Sequence, residues 1–351
     1  MLNHLIAAKV VFSITTCCFA ICASKAAQPN QNIDAVFGGK TLDSILLIRE
    51  SEDVRTLLNY SLVSDRTEVI YRSHGSLFEG APHLHFGLEI PETGQYLVST
   101  EDKGLILCQE TRDGNGNTSI IAPPERGIIT GVAGSAVNPR ADVVCLQNMS
   151  NHTLVAYSVT EQCILDRSAS LPNRAMPGMI QWKDHQSLHY YGVDGVIREM
   201  QIGPEGITNV QETDRVDVPK GAVIKGFVDA KAVSYDSDTL YIGQSIVTEL
   251  EQPNDVKGSI FPRFTVGTGD DHIILYDHGR VSGTAKQRIT IFDKSGAKVS
   301  RVSVSQDAIL VALSRFRDLP GFQILLVRAN KVFLLASECD SIKRTLLGQI
   351  D

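Results

Sequence analysis

The chain has 351 residues, 43% of them hydrophobic and 21% charged, with a net charge of −7. This balance excludes a disordered chain, a collagen, a coiled coil and a polytopic membrane protein. An acidic chain also lacks the basic footprint that nucleic-acid binding requires.

In chain order, the first element is a secretory signal over 1–26. Lys9 ends a weakly basic start, Val10 to Ala23 carries no charge, and Ser24-Lys25-Ala26 places small residues around a cut after Ala26. The uncharged run is short for a membrane span, which needs about 20 apolar residues. An uncleaved anchor beginning at Leu5 is the alternative. A bulky Ile21 before Cys22 argues against a lipoprotein. Cleavage takes two lysines and no acids, moving the net charge from −7 to −9. The expected location is secreted or periplasmic, with no membrane span left after cleavage.

Beyond the signal, no long stretch has apolar residues at helical spacing. Asp53 to Leu62 and Ser341 to Leu347 read equally as short helices or strands. The rest is short β-branched runs cut by Gly, Asp and Asn, which is an all-β pattern. Apolar runs following a polar turn begin at Ser44, Gln95, Asp142, Ser187, Thr239, His272 and Gln323. Their spacings are 51, 47, 45, 52, 33 and 51 residues. A second run follows several of them after a tight turn, as at Asp102-Lys103-Gly104 and Asn151-His152. Four short strands every 40–50 residues is the signature of a β-propeller, whose sheets bury their faces by stacking around an axis. Seven units of about 46 residues fill the 325 residues after Ala26. The expectation is therefore one propeller domain over 27–351, with seven four-stranded blades. They should begin near residues 30, 80, 127, 174, 219, 261 and 306. Blade six should carry a polar insertion at Asp277–Gln287, and Trp182 should lie on the inner strand of blade four.

Two segments, Pro82 to Asp102 and Asn138 to Tyr157, resemble blades of YVTN-type and lactonase-type seven-bladed propellers. The first has a His-bearing inner strand, a turn, Tyr96-Leu97 and a polar hairpin. The resemblance implies a propeller and, in the lactonase-like enzymes, an Arg-His pair heading the second segment with a Glu in its hairpin. Here Arg140 precedes Ala141, and the hairpin reads Gln147-Asn148-Met149. The first segment is also similar to periplasmic zinc-carrying propellers, whose histidines face the channel.

The candidate chemistry centres on His83 and His85. Residues at i and i+2 of a strand share a face, so two imidazoles would stand side by side, with Glu89 four residues on and His74 upstream. Two or three histidines and a carboxylate suit zinc or copper. His83, His85 and Glu101, with Asp102 in reserve, form the candidate set for zinc or another divalent cation. Packing at the blade top is the structural alternative. His185 and His189 flank a turn and read as surface residues. Asp270-Asp271-His272, Asp277-His278 and Asp113 to Asn117 are oxygen-rich turns that fit no calcium loop. There is no Gly-x-Ser-x-Gly elbow, phosphate-binding glycine pattern or Cys-x-x-Cys in the mature chain.

Four cysteines remain after cleavage: Cys108, Cys145, Cys163 and Cys339. Either two disulfides form, with Cys145 and Cys163 the first candidate pair, or the thiols are buried and free. Four N-x-S/T sequons stand at Asn59, Asn117, Asn148 and Asn151. Two function classes follow. One is a non-enzymatic binding or interaction protein that presents rim loops to a protein, glycan or small ligand. The other is a metal carrier, or a hydrolase or lactonase that needs a divalent cation. The rim set is His74, Glu79, Glu101, Asp102, Lys103, Asn151, His152, Asp194, Asp277, His278 and Asn330.

Overall fold

The computed structural model describes residues 32–36, 44–50, 54–74, 82–91, 93–109, 117–131, 133–134, 136–171, 179–192, 194–228, 231–236, 239–249, 264–268, 272–277, 287–304, 308–312, 323–328, 331–338 and 341–349. The expected signal at 1–26, Cys339, Glu79, Asp270, Asp271, His278 and Asn330 lie outside them. So do residues 113–116 of the Asp113 to Asn117 turn.

Seven antiparallel sheets are present among these residues, each built almost wholly from consecutive strands. Blade one holds β1 (Asn32–Val36), β2 (Ser44–Glu50), β3 (Val54–Ser61) and β4 (Arg66–His74). Blade two holds β5 (Leu84–Ile90), β6 (Gln95–Thr100), β7 (Gly104–Gln109) and β8 (Thr118–Ala122). Blade three holds β9 (Ile129–Gly131), β11 (Val143–Asn148), β12 (Thr153–Ser158) and an outer strand split into β13 (Cys163–Ile164) and β14 (Ala169–Ser170). Blade four holds β15 (Met179–Trp182), β16 (Ser187–Tyr191), β17 (Val196–Gly203) and β18 (Gly206–Arg215), with the short β10 (Ala133–Gly134) added in parallel to β15. Blade five is β19 (Val223–Val228), β20 (Lys231–Tyr235), β21 (Thr239–Ile242) and β22 (Ser245–Glu249). Blade six is β23 (Phe264–Thr268), β24 (His272–Asp277), β25 (Gln287–Asp293) and β26 (Lys298–Val304). Blade seven is β27 (Ala308–Ala312), β28 (Gln323–Arg328), β29 (Lys331–Glu338) and β30 (Ser341–Gln349).

The first strands of neighbouring blades touch: β1 meets β5 and β27, β5 meets β9, β15 meets β19, and β19 meets β23. They therefore ring the axis of a seven-bladed propeller. Each begins two to five residues after the expected blade start. Of the two ambiguous segments, Val54–Ser61 of the first is strand β3 and the second falls in β30. The only helical turn among the described residues is a 3-10 turn at Pro124–Arg126.

Six of the seven recurring runs are second strands of their blades, but the run at Thr239 is the third strand of blade five. Lys231–Tyr235 is the second, and counting from it turns the spacings of 52 and 33 into 44 and 41. The polar stretch 277–287 does fall between the second and third strands of blade six.

Among the described residues the core forms seven apolar clusters, one at each blade interface. Ile45, Leu47, Leu58 and Tyr60 of blade one meet Val327, Val332 and Leu334 of blade seven. Leu57 and Tyr71 meet Tyr96, Val98 and Ile106 between blades one and two. Leu97 and Leu107 meet Val144 and Leu146 between blades two and three. Cys145, Leu154 and Ala156 meet Ile180, Leu188 and Tyr190 between three and four, with Trp182 partly buried against them on β15. Val233 and Leu240 meet Ile273 and Phe292, and Tyr276 and Ile289 meet Ile324 and Leu326. Between blades four and five, Met179, Tyr191, Ile224 and Ala232 are buried together. Because the sheet faces are covered on both sides, second strands such as β6 and β11 are buried along their length without alternation.

Polar bonds fix the blades against each other. Asn59 Nδ2 donates to the Tyr96 hydroxyl at 2.9 Å, and Ser44 Oγ donates to Glu89 Oε2 at 2.7 Å. Between blades three and four, Arg167 leaves the sheet of β12 and pairs with the hairpin of β17 and β18. Its N–H donates to Glu205 O at 2.7 Å, and its carbonyl accepts from Ile207 N at 2.9 Å. Gly206 sits at φ +114° with its α-carbon against the Arg167 backbone, where a β-carbon has no room.

Candidate functional site

Loops joining second to third strands, together with the links between blades, share one rim, called here the upper rim. On blade two this rim is formed by the start of β5 and the turn Glu101-Asp102-Lys103. The turn is closed by Thr100, whose Oγ1 accepts the Lys103 N–H at 3.0 Å. Leu84 pairs with Thr100 and Phe86 with Ser99, so His85 is the extra residue of a β-bulge. The bulge leaves the His83 and His85 rings nearly parallel, 21° apart, with centroids at 6.4 Å.

Glu101 is tied to His83 twice over. Its N–H donates to the His83 carbonyl at 2.9 Å, and its Oε2 accepts the His83 N–H at 3.1 Å. His83 is exposed and His85 half-buried. Burial first, and the neighbouring His83 second, hold the His85 imidazole below the usual histidine range, while Glu101 pulls it back up.

Asp102 faces a different neighbour. Tyr71, on the outer strand of blade one, is buried, and its hydroxyl has no hydrogen-bond partner among the described residues. Burial, then Asp102, then Cys108 push it up to about 12. Lys103 Nζ stands over the Tyr71 ring at 5.3 Å from its centroid. Hydrogen bonds join Glu101 to His83, whose ring stacks on that of His85, while the charge of Asp102 bears on the Tyr71 hydroxyl and Lys103 stands over the Tyr71 ring. Among the described residues, no three His, Cys, Asp or Glu side chains converge as a ligand set for a metal ion. Glu89 is at the far end of β5, bonded to Ser44, and His74 closes β4 rather than lying in a loop.

On blade three the rim turn is 149–152. Asn148 beneath it is 5% exposed, and its Nδ2 donates to Arg126 O in the link from blade two at 2.8 Å. Asn151 and His152 follow at the tip. On blade four, Asp194 accepts from Arg198 at both oxygens, 3.0 Å to Nη1 and 2.7 Å to Nη2, and Arg198 Nη2 also donates to Glu212 at 2.8 Å. Arg198 is 8% exposed. Its hydrogen bonds hold the Asp194 carboxyl below the usual range. The sequence reading missed this buried arginine. Its signal was available: Val196, Met200 and Ile202 alternate along β17, and Arg198 falls on their buried face.

The remaining histidines lie elsewhere. His189 Nε2 is 3.6 Å from Glu199 Oε2, which also accepts Lys183 Nζ at 3.0 Å, on the face of blade four toward blade five. A shallow concavity of about 510 Å³ adjoins it, lined by Gln186, Glu199, Gln201, Thr208, Asn209 and Gln211 over Ile202 and Gly203. His272 begins β24 and Asp277 ends it, so the two stand at opposite ends of one strand.

The expected pairing of Cys145 with Cys163 is absent. Both thiols are free, as is Cys108. Cys145 is on β11 and Cys163 on β13, with β12 between them. Two strand spacings are about 9–10 Å, beyond the roughly 4.4–6.8 Å that a disulfide spans between α-carbons.

No helix of the described residues is long and apolar enough to cross a membrane. No known protein family and no curated protein matches the chain. Solved structures do. The C-terminal WD40 domain of Sif2 is 12% identical, with 88% of this chain and 83% of that one covered, at a TM-score of 0.45. The computationally designed Ika8 protein is 12% identical, with 90% and 86% covered, at 0.46. BamB from Moraxella catarrhalis is 13% identical, with 93% and 95% covered, at 0.41. At such identities the likeness is one of fold alone.

Proposed function

We propose that this chain is an exported propeller that acts as a binding or interaction protein through its upper rim, without catalysis. The observation that supports this reading is the rim of blades two and three. Glu101, Asp102, Lys103 and Asn151 stand exposed at hairpin tips whose backbones are pinned by Thr100, His83 and Asn148. Charged groups held on rigid strand ends lose little entropy when a partner binds. Many unrelated functions use this fold, so the rim rather than the scaffold carries the proposal.

The test is binding by the purified full chain to material from its own host, compared between variants. Replacing Glu101, Asp102 and Lys103 together by Ala should abolish retention of the bound component. Replacing Glu161, on the opposite rim, should leave it. Equal loss in both, or in neither, overturns the rim assignment.

The stacked His83 and His85 favour a second reading, a zinc or copper carrier or a cation-dependent hydrolase. Elemental analysis of the untagged protein tests it. One equivalent of metal, lost in His83→Ala with His85→Ala, supports this reading; a metal-free folded protein removes it.

A further inference from the structure

The four sequons are alike in sequence and unlike in the fold. Asn59 is 9% exposed, and its Nδ2 donates to the Tyr96 hydroxyl across the interface of blades one and two. Asn148 is 5% exposed and fully engaged. Its Nδ2 donates to Arg126 O, and its Oδ1 accepts the N–H groups of Ser150 at 3.0 Å and Asn151 at 3.4 Å. In both residues the nitrogen that a glycan would occupy is already holding one blade to the next.

Asn151 differs on each count. It is exposed at the tip of the β11–β12 hairpin, on the upper rim. Its Oδ1 accepts the hydroxyl of Thr153, the third residue of its own sequon, at 2.7 Å. Its Nδ2 makes no hydrogen bond among the described residues. Asn117, just before β8, is also exposed; its backbone carbonyl accepts the Gln109 N–H at 3.1 Å, and its side chain has no partner among the described residues. β8 is the outer strand of its sheet, so no further strand of that sheet lies beyond it.

We propose that Asn151 and Asn117 are the N-glycan acceptors of this chain, and that Asn59 and Asn148 stay unmodified as structural amides. The inference rests on the export reading, since the donor is a lipid-pyrophosphate-linked oligosaccharide of a secretory pathway. In the transfer, the bond from the sugar C1 to the pyrophosphate oxygen breaks and a bond from C1 to Asn Nδ2 forms. The lipid pyrophosphate leaves with the electron pair, and Nδ2 gives up one proton. Nothing is oxidised or reduced. Sequons are met on the chain before it folds, so a glycan placed on Asn59 or Asn148 would keep its blade from docking. Molecules that fold are those modified at the two open sites.

The experiment uses the full chain in a eukaryotic secretory host, once with its own N-terminus and once with a cleavable signal fused ahead of Met1. Secreted protein is treated with peptide N-glycosidase in heavy-oxygen water, which turns each glycosylated Asn into labelled Asp, and is mapped by mass spectrometry. Label is expected at Asn151 and Asn117. Asn151→Gln should remove one glycan-sized step on a gel while secretion is maintained. Asn59→Gln and Asn148→Gln should leave the glycan number unchanged and lower the secreted yield. Label at Asn59 or Asn148 in folded, secreted protein overturns the assignment, as does an unlabelled Asn151. If only the chain with the fused signal is secreted, and it carries label at Asn151 and Asn117, the export reading fails while the acceptor assignment stands.

Discussion

Gly348, near the end of the last strand, lies directly against the hydroxyl of Tyr60 in the first blade, beside the Asp65 carboxylate that this hydroxyl donates to. A β-carbon at position 348 would overlap the tyrosine oxygen. Gly348→Ala should therefore force the first and last blades apart. Overpacking of this kind costs roughly 1–3 kcal/mol. Thermal unfolding should show a lowered midpoint for Gly348→Ala, and an unchanged one would mean that the seam yields without cost.

Asn138 joins blades three and four at the opposite rim. Its Nδ2 donates to Asp142 Oδ1 at 2.6 Å and to the His185 carbonyl at 2.8 Å, and its Oδ1 accepts the N–H groups of Asp142 and Val143. The residue is 4% exposed. Asn138→Ala leaves these groups unpaired, at about 1–3 kcal/mol for each that stays buried. Denaturant titration should give a lower midpoint for Asn138→Ala, and a lower one for Asn138→Asp as well, because its carboxylate would face Asp142 and the His185 carbonyl with no donor between them.

His85 makes stability depend on pH. Its folded pKa is lowered, so the folded state resists the proton that the unfolded chain takes up near pH 6.5. The stability is full above that pH and declines as pH falls through it toward the lower folded value. Melting temperatures recorded between pH 7.5 and 5.5 should drop more for the wild type than for His85→Gln. Equal slopes would show that the imidazole is not kept neutral by the fold.

Asp194 acts in a different window. Arg198 lowers its folded pKa, so its contribution is present above the ordinary carboxyl value near 4 and is lost as pH falls from there through the folded value. Arg198→Met should remove that acid-dependent increment and leave the His85 window untouched. It also strands Asp194 and Glu212, so the midpoint at neutral pH should fall as well. A variant as stable as the wild type at pH 7 and at pH 3 would refute the role of the pair.

The cysteines give a chemical readout. Cys163 is exposed, whereas Cys108 and Cys145 are buried. Burial pushes Cys108 up to about 12 and Cys145 higher still. A maleimide should label Cys163 in the native protein and reach Cys108 and Cys145 only after unfolding. A Cys145–Cys163 disulfide peptide in a non-reduced digest would contradict the strand order of blade three.

The architecture was legible because most second strands, such as β2, β6 and β11, read as apolar runs at a period near 46 residues. Blade five misled because Lys231 and Ser234 dilute its second strand, while Thr239–Ile242 in the third is more apolar. The nearness of His83 to Glu101 was also readable, since both flank one hairpin. The bearing of the Asp102 charge on Tyr71 was not. It depends on how two blades are rotated against each other, and no spacing within one strand encodes that angle. The burial of Asn59 and Asn148 was hidden for the same reason, because their partners lie 37 and 22 residues away.

Blade one is built from β1 to β4 and blade seven from β27 to β30, so neither lends the other a strand. The circle has no clasp. Its seam between Tyr60 and Gly348 is a joint of the same kind as the other six, apolar face against apolar face. A protease cut in any link between blades would therefore produce a second seam, not an open end. A singly nicked ring should hold its two fragments together until denaturant parts them.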